Sequence, residues 1–220
     1  AQKLMENGVL IVNPRATYVE ESVQIGEGSV LFPNSFLRGN TVVGSCSVIE
    51  PNCFISDAVI GDGVQIRAGT YIEKSKIDSK VTLGPYARLR PDTHLEEESH
   101  VGNFVEMKKV KFGARSKAGH LTYLGDAEIG KDSNIGCGTI TCNYAVNKQK
   151  YRTKIGDRVF VGSDTQFVAP IIVGDDAVIG SGSVITENVP AGALAIARGR
   201  QVNKENYRTG RVSHKKDKGE

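Results

Sequence analysis

Apolar residues recur every six positions through most of this 220-residue chain. A six-residue period fits neither an α-helix, which repeats about every 3.6 residues, nor a long flat strand, whose side chains alternate. It fits a short strand followed by a corner that glycine eases. The positions of this ladder are Ile25, Leu31, Leu37, Val43, Ile49, Ile55, Ile60, Ile66, Ile72, Ile77, Leu83, Leu89, Leu95, Val101, Met107, Phe112, Ala118, Leu124, Ile129, Ile135, Thr141, Ile155, Val161, Phe167, Val173, Ile179 and Ile185.

One-residue slips in the ladder define a coil with three sides. They recur every third hexapeptide, so one turn takes 17 or 18 residues, and the 27 ladder positions make nine turns. With parallel strands stacked about 4.8 Å apart, these turns form a triangular prism about 43 Å long. The predicted fold is therefore an all-β, parallel β-helix around a column of Ile, Leu and Val.

Three segments lie outside the regular ladder. Residues 1–18 begin with AQKLMENG, which predicts the last turns of a helix that ends at Gly8. We interpret 1–18 as the remnant of a linker helix with a lead-in, 19–197 as the β-helix, and 198–220 as a tail. Residues 141–154, TCNYAVNKQKYRTK, predict a protruding loop, and loops of this length in compact folds are usually functional.

Positive charge is concentrated in the tail. The chain has a net charge of +3, and residues 198–220 hold eight Lys or Arg against three Asp or Glu. The tail is either a solvated terminus or a contact for an anionic ligand such as a cofactor phosphate. Because aromatic residues do not interleave with the basic ones, we expect no nucleic-acid partner. Without a signal peptide or an apolar run of about 18 residues, we expect a cytoplasmic protein and no membrane partner.

The coil length also predicts which side chains lie on neighbouring turns. Arg90 and Lys108 each follow a ladder residue and are eighteen positions apart, so two cations should stack at one corner. Stacked like charges are unfavourable unless an anion lies between them, and a phosphate would serve. The alternative is a pair of independent, solvated surface cations. We expect Arg90, Lys108 and His120 to share one edge of the prism.

His120 is the candidate general base. Its side chain has the unperturbed pKa nearest neutrality, and the register puts Asn103 one turn below it. Glu106 and Tyr123 form another stacked pair near the corner. Glu106 could orient His120, from the same subunit or from a neighbouring one. The alternative is an idle surface histidine.

Small side chains predict a shallow groove further along the coil. Ser163 and Ser181 each lie two places after a ladder residue and are eighteen positions apart. Such a groove could admit a thin, extended ligand. Small residues also suit solenoid corners for structural reasons alone.

The sequence resembles the hexapeptide-repeat acyltransferases. More specifically, residues 83–198 are similar to the acetyltransferase domains of bifunctional enzymes that make UDP-N-acetylglucosamine. The matching stretches are RLRP at 88–91, VGNFVEMKK at 101–109, SKAGHLTYLGDAEIG at 116–130, NIGCGTITCNY at 134–144, FVGSDTQFVAP at 160–170 and ALAIAR at 193–198. The family's helix is left-handed, and we take the handedness from this resemblance because the period does not fix it.

The resemblance implies transfer of acetyl from acetyl-CoA to the C2 amine of glucosamine 1-phosphate. It implies a homotrimer with active sites between subunits, on the route to peptidoglycan and lipopolysaccharide precursors. The implied catalytic residues are His120, as general base, and Glu106. The implied substrate-binding residues are Arg90, Lys108, Tyr123, Asn134 and Lys148. The residues implied for acetyl-CoA are Cys137, Asn143, Tyr144, Ser163, Ser181 and Arg198.

The chain departs from the family pattern at three points. Cys137 stands where the family usually has Ala, and Ala145 and Val146 replace an Asp-Gly turn ahead of Lys148. The uridylyltransferase domain of the bifunctional members, with its Gly-rich loop and magnesium site, has no counterpart in this sequence. We therefore expect acetyl transfer alone, and AQKLMENG favours a fragment of a longer chain.

Several alternatives stay open. The substrate could be another amino sugar or a sugar nucleotide, or the chain could be a non-catalytic β-helical binding module. Cys137 or Cys142 could carry the acetyl group covalently, since thiolates are good nucleophiles. A zinc site at His94, His100 and His120 is disfavoured by their different positions along the coil, and the four cysteines lack metal-binding spacing, so we expect no metal.

Overall fold

The computed structural model of the chain describes residues 1–205 and 207, so most of the basic tail lies outside the described residues. It is a parallel β-solenoid with three faces per turn. Helix is confined to α1 (Gln2–Glu6) and one 3-10 turn (Pro14–Ala16) within the described part of the chain. Neither could cross a membrane, and the described residues contain no other helix that could.

The first face is an eleven-stranded parallel sheet. Its strands are β1 (Leu10–Ile11), β4 (Val30–Leu31), β7 (Val48–Ile49), β10 (Gln65–Ile66), β13 (Thr82–Leu83), β16 (His100–Asn103), β18 (Lys117–His120), β20 (Asn134–Ile135), β23 (Phe160–Val161), β26 (Val178–Ile179) and β28 (Leu194–Ala195).

The second and third faces are joined because two long strands, β17 (Glu106–Phe112) and β19 (Tyr123–Ile129), run through the corner between them. The other strands of the second face are β2 (Tyr18–Val19), β5 (Phe36–Arg38), β8 (Phe54–Ser56), β11 (Tyr71–Glu73), β14 (Arg88–Leu89), β21 (Ile140–Cys142), β24 (Gln166–Val168) and β27 (Val184–Ile185). Those of the third face are β3 (Gln24–Ile25), β6 (Val42–Val43), β9 (Val59–Ile60), β12 (Ser75–Ile77), β15 (Thr93–Leu95), β22 (Thr153–Ile155) and β25 (Ile171–Val173).

The core is the apolar ladder. Every ladder position is buried, and neighbouring turns align ladder residue on ladder residue, as Ile66 on Leu83 and Leu83 on Val101. The predicted all-β, parallel β-helix is therefore confirmed. Its left-handed sense is the one that the family resemblance implies.

The coil is longer than the ladder predicts. The first face has eleven strands rather than nine, because β1 pairs with β4 at one end and β28 pairs with β26 at the other. Counted as before, at about 4.8 Å for each strand of this face, the stack is about 53 Å long. The first turn escaped the six-residue count because the 3-10 turn at Pro14–Ala16 breaks the spacing. The coil thus begins inside the segment interpreted as a lead-in.

The protruding segment is present, but it is shorter than expected. Its first residues still form β21, which pairs with β24, and its last residues form β22, which pairs with β25. Thr141 is completely buried in the ladder. Only residues 143–152 leave the prism.

Small residues let the corners of successive turns approach closely. The Ser116 hydroxyl donates to the Gly130 carbonyl (2.6 Å) and accepts from the Ser133 backbone N–H (2.9 Å), so one side chain joins two turns. Gly102 lies at another corner, where an added Cβ would overlap the carbonyl oxygen of Gly119 on the next turn.

We therefore predict that Gly102→Ala destabilises the protein by about 1–3 kcal/mol, the usual cost of overpacking. Gly119→Ala is the matched control: its Cβ would meet nothing within 4 Å, so its stability should be unchanged or slightly raised. Urea unfolding followed by circular dichroism measures both. Equal stability of the two variants would contradict this account of the corner.

Candidate active site

Five short or polar side chains form one row along the corner after the first face. Strand pairing stacks the ladder residues Val101, Ala118, Ile135, Val161 and Ile179 on successive turns, and the residue two places after each occupies the corner. At about 4.8 Å per turn, the row is about 19 Å long. We call it the corner row, and its members are Asn103, His120, Cys137, Ser163 and Ser181.

His120 is an exposed member of this row whose neighbour is an amide. Its Nδ1 lies 2.9 Å from Oδ1 of Asn103, because the two residues pair across β16 and β18. Glu106, expected to orient His120, instead accepts a hydrogen bond from Arg90. Within one chain, therefore, Asn103 rather than Glu106 contacts the candidate base.

Arg90 and Lys108 lie on neighbouring turns, as the register predicts, because β14 pairs with β17. They occupy the corner between the second and third faces. Glu106 Oε1 accepts from Arg90 Nη1 at 2.8 Å, and Glu106 Oε2 lies 3.8 Å from Arg88 Nη1. An internal carboxylate therefore already compensates Arg90, which the stacking argument did not foresee. Among the described residues, Lys108 has no carboxylate within 4.0 Å.

The expectation that Arg90, Lys108 and His120 share one edge is wrong. Arg90 and Lys108 follow the ladder residues of the second face, whereas His120 follows a ladder residue of the first face. The two cations and the histidine therefore lie at opposite edges of the second face. The prediction failed because it compared the distance of each residue from its ladder residue without asking which face that ladder residue belongs to.

A notch without a side chain lies at the edge that carries the two cations. Gly125 stacks directly on Lys108, and the Tyr123 hydroxyl and the Asn143 amide occupy the space that a Cβ at Gly125 would take. Asn143 is almost completely buried, and its Nδ2 donates to Asp126 Oδ2 at 2.5 Å. We had not singled out Gly125 or Asp126, although a glycine one place after a ladder residue was the available signal.

The protruding segment is a short hairpin. Tyr144 pairs with Lys150 in an antiparallel bridge, and the N–H of Lys148 donates to the carbonyl of Ala145 at 2.9 Å. Lys148 adopts a positive φ of 63°, so a tight turn forms here without the Asp-Gly pair of the family pattern. The side chains of Tyr144 and Lys148 are exposed.

The remaining predicted residues lie on the first face and at the far end of the corner row. Arg198 Nη1 donates to the carbonyl of Ser181 at 2.8 Å, which places the guanidinium beside the row. Asn134 is exposed on the first face, next to Lys117 of the preceding turn. Asn134 therefore points away from the second face that carries Tyr123.

The three histidines considered for zinc lie apart. His94 is on the third face, where its Nε2 is 2.9 Å from Asp78 Oδ2, while His100 is on the first face and His120 is at its corner. In residues 1–205 and 207 there is no group of three or more His, Cys, Asp or Glu arranged to hold a metal ion.

Residues 152–187 match the family model described as bacterial transferase hexapeptide (six repeats). Over nearly its whole length, the chain is also similar to proteins named bifunctional protein GlmU. It is 72% identical over 207 residues to that of Bdellovibrio bacteriovorus, covering 94% of this chain and 45% of the relative. It is 50% identical to that of Trichlorobacter lovleyi, covering 99% and 46%. The chain thus spans somewhat less than half the length of these relatives.

Two solved structures are similar in backbone fold to most of this chain. The UDP-N-acetylglucosamine acyltransferase of Francisella novicida matches with a TM-score of 0.49 and 17% identity, covering 86% of this chain and 67% of that one. The enzyme of the same name from Campylobacter jejuni has a TM-score of 0.49 and 15% identity, covering 85% and 71%.

The repeat period, the stacked ladder and the sequence matches agree with one another. Residues 152–187 of the chain thus match the bacterial hexapeptide-repeat transferase model, and the chain as a whole is similar to a stretch that makes up somewhat less than half of a GlmU protein.

Proposed function

We propose that this chain transfers the acetyl group of acetyl-CoA to the C2 amine of glucosamine 1-phosphate. The observation that carries the proposal is the position of His120 within the corner row. Small side chains run along one edge above it, and the two cations lie across the second face from it. A base, a narrow channel for a thioester and a phosphate-binding pair are the parts that this reaction needs.

The corner row suits an extended cosubstrate. From Cys137 to Ser181 the row spans two turn spacings, about 10 Å, and the guanidinium of Arg198 lies beside its far end. A thin pantetheine arm could lie against these small side chains, with a phosphate near Arg198. In the described part of the chain, the Cys137 backbone N–H has no hydrogen-bond acceptor, so it is free to donate to an acetyl oxygen.

The proposed reaction is direct transfer between two bound substrates. His120 Nε2 takes a proton from the C2 ammonium, and the neutral amine attacks the thioester carbonyl carbon. The oxyanion of the tetrahedral intermediate accepts a hydrogen bond from the Cys137 N–H. Collapse of the intermediate breaks the carbon–sulfur bond, and the CoA thiolate leaves with its electron pair and takes up the proton held by His120. The attacking nitrogen releases its second proton to water, which leaves a neutral amide. Fixing both substrates side by side supplies further acceleration.

Transfer through a cysteine has less support. A carrier needs a thiolate, and burial raises the pKa of Cys142, which lowers its thiolate fraction at neutral pH. Cys137 sits in a corner turn, where its carbonyl accepts from the Asp164 N–H at 2.7 Å.

We further propose that the active enzyme is a homotrimer with sites between subunits. Asn134 points outward from the first face, whereas Arg90 and Lys108 lie at the far edge of the second face. Two outward faces of one triangular prism cannot close on the same small sugar. A second copy that presents its first face to the second face of its neighbour would bring these residues together.

Bulky residues in a strained conformation also support association at this edge. Tyr86, Phe104 and Leu121 occupy the same corner position on successive turns, each with a positive φ of 46–56°. A left-handed backbone costs such residues about 1 kcal/mol or more each, and each side chain is more than half exposed. Large apolar residues that are exposed and also have a strained backbone are typical of a surface that a partner covers.

For the substrate, we predict CoA release with glucosamine 1-phosphate, and a kcat/KM at least about 100-fold lower with free glucosamine, because two charge-assisted contacts to phosphate are lost. Thiol release is measured with both sugars and with UDP-linked amino sugars at fixed acetyl-CoA. Faster turnover of a UDP-linked sugar would replace the proposed acceptor. No thiol release with any of these amino sugars would favour a non-catalytic binding module.

For the base, His120→Ala should lower kcat by about 10²- to 10⁴-fold, which is the usual contribution of a general base. The double variant Cys137→Ser/Cys142→Ser is the matched comparison, and it should keep kcat within about threefold because no covalent intermediate is needed. Steady-state kinetics gives both values. A large loss of kcat in the double cysteine variant, with little loss in His120→Ala, would instead establish a cysteine carrier.

For the shared site, we predict complementation between inactive subunits. Arg90→Ala and Asn134→Ala should each be impaired alone, and their co-expression should restore about a quarter of the sites, because one site takes each residue from a different copy. Co-expressed Arg90→Ala and Lys108→Ala, changed at the same corner of one chain, should show no recovery. Equal behaviour of the two mixtures would place the whole site within one chain.

A further inference from the structure

We infer that Asn103 is a positioning residue for His120, which holds the imidazole in the tautomer whose Nε2 is unprotonated. The inference rests on the proposed function, since it concerns how the base is prepared. It goes beyond that function because none of the motifs considered above assigns Asn103 a role.

The orientation of the Asn103 amide specifies the proton position. Oδ1 of Asn103 lies 2.9 Å from Nδ1 of His120, and an amide oxygen can only accept a hydrogen bond. Nδ1 must then carry the proton, which leaves the lone pair of a neutral imidazole on Nε2. The exposed side of the ring, away from Asn103, is therefore the basic side, where an ammonium group can be deprotonated.

Asn103 is itself held in place. Its backbone carbonyl oxygen accepts from the Leu121 N–H at 3.1 Å, and the next side chain, Phe104, stacks on Tyr86 with ring centroids 5.8 Å apart. The corner that carries the Asn103 amide is thus held by a hydrogen bond to the turn above and by aromatic stacking on the turn below. Among the described residues, the Asn103 side chain has no other hydrogen-bond partner than His120.

A neutral orienting group suits a base that must work near neutral pH. A carboxylate in place of Asn103 would stabilise the imidazolium and keep the proton on the ring. The titratable groups on the flanking strands are His100 on β16 and Lys117 on β18, while the turn above presents Cys137. Burial, and then the charges of Arg67 and Lys117, lower the pKa of His100.

The opposite orientation of the amide makes a different prediction. If Nδ2 of Asn103 faced the ring, it would donate to an unprotonated Nδ1, and the proton would sit on Nε2. His120 could then not accept a proton from the substrate through its exposed nitrogen. The tautomer of His120 therefore decides between a positioning role and a merely structural contact.

The test measures that tautomer directly, by nitrogen NMR of histidine-labelled protein, with the His120 signals assigned through their loss in His120→Ala. Wild-type protein should show Nδ1–H as the main neutral form, and Asn103→Leu should lose this preference. Asn40→Leu is the control, because it makes the same change at an exposed corner on a distant turn. Melting temperatures show whether each variant is folded.

Kinetics supplies the second readout. Asn103→Leu should lower kcat by about tenfold, less than removal of the base itself, with both KM values within about twofold. Asn103→Asp keeps an acceptor, so its kcat should recover at high pH. Its acidic limb should move to higher pH, because a carboxylate beside the ring favours the protonated imidazole.

An Nε2–H tautomer in the wild-type protein would overturn the inference, and so would an Asn103→Leu variant with unchanged tautomer and unchanged kcat. A wild-type protein that acetylates no amino sugar would instead refute the proposed function. The NMR result would still decide whether Asn103 sets the proton position on His120.

Discussion

Backbone hydrogen bonding between successive turns is the constraint on which the rest of this protein depends. Strand N–H groups donate to the turn that follows, as the Arg90 N–H does to the Met107 carbonyl at 2.9 Å, whereas corner N–H groups donate to the turn before, as the Leu121 N–H does to the Asn103 backbone carbonyl at 3.1 Å. Because the strands are parallel and short, this pairing allows one register, in which buried ladder residues align. A slip of one residue would expose the core and take His120 out of the corner row. Fold and site are therefore fixed by the same interaction.

The candidate site depends as much on positions with small or no side chains as on its functional groups. Gly125 leaves a notch above Lys108 that Tyr123 and Asn143 line, and serines keep the corner row narrow beyond Cys137. A solenoid has no deep internal cavity for a substrate, since its core is filled by the ladder. Binding must then occur on its outer edges, where small residues create grooves and a neighbouring copy can add a wall.

The charged groups of the candidate site differ in whether they have a partner of opposite charge. Glu106 pairs with Arg90, no carboxylate of residues 1–205 or 207 pairs with Lys108, and His120 has an amide as its neighbour. The cations thus remain able to hold a phosphate, and the imidazole is not held in its charged form by an adjacent carboxylate. The division of these groups between two edges of one face, together with the outward direction of Asn134, is the reason why we propose a site that two copies share.

The amino-acid sequence alone determined the fold class, because a six-residue apolar period is compatible with few structures. It also determined contacts within one face, such as Arg90 beside Lys108, since stacking needs only the length of a turn. Relations between faces could not be obtained this way. The separation of His120 from Arg90 is such a relation. Within one face, the register placed Asn103 below His120, but the hydrogen bond between their side chains, like the one from Arg90 to Glu106, depends on side-chain rotamers. The extra turns at both ends were missed because a 3-10 turn disturbs the spacing at one end and the last strand has Ala195 in place of a large apolar residue. A periodic sequence specifies what repeats along the stack, whereas the tertiary structure decides what meets around it.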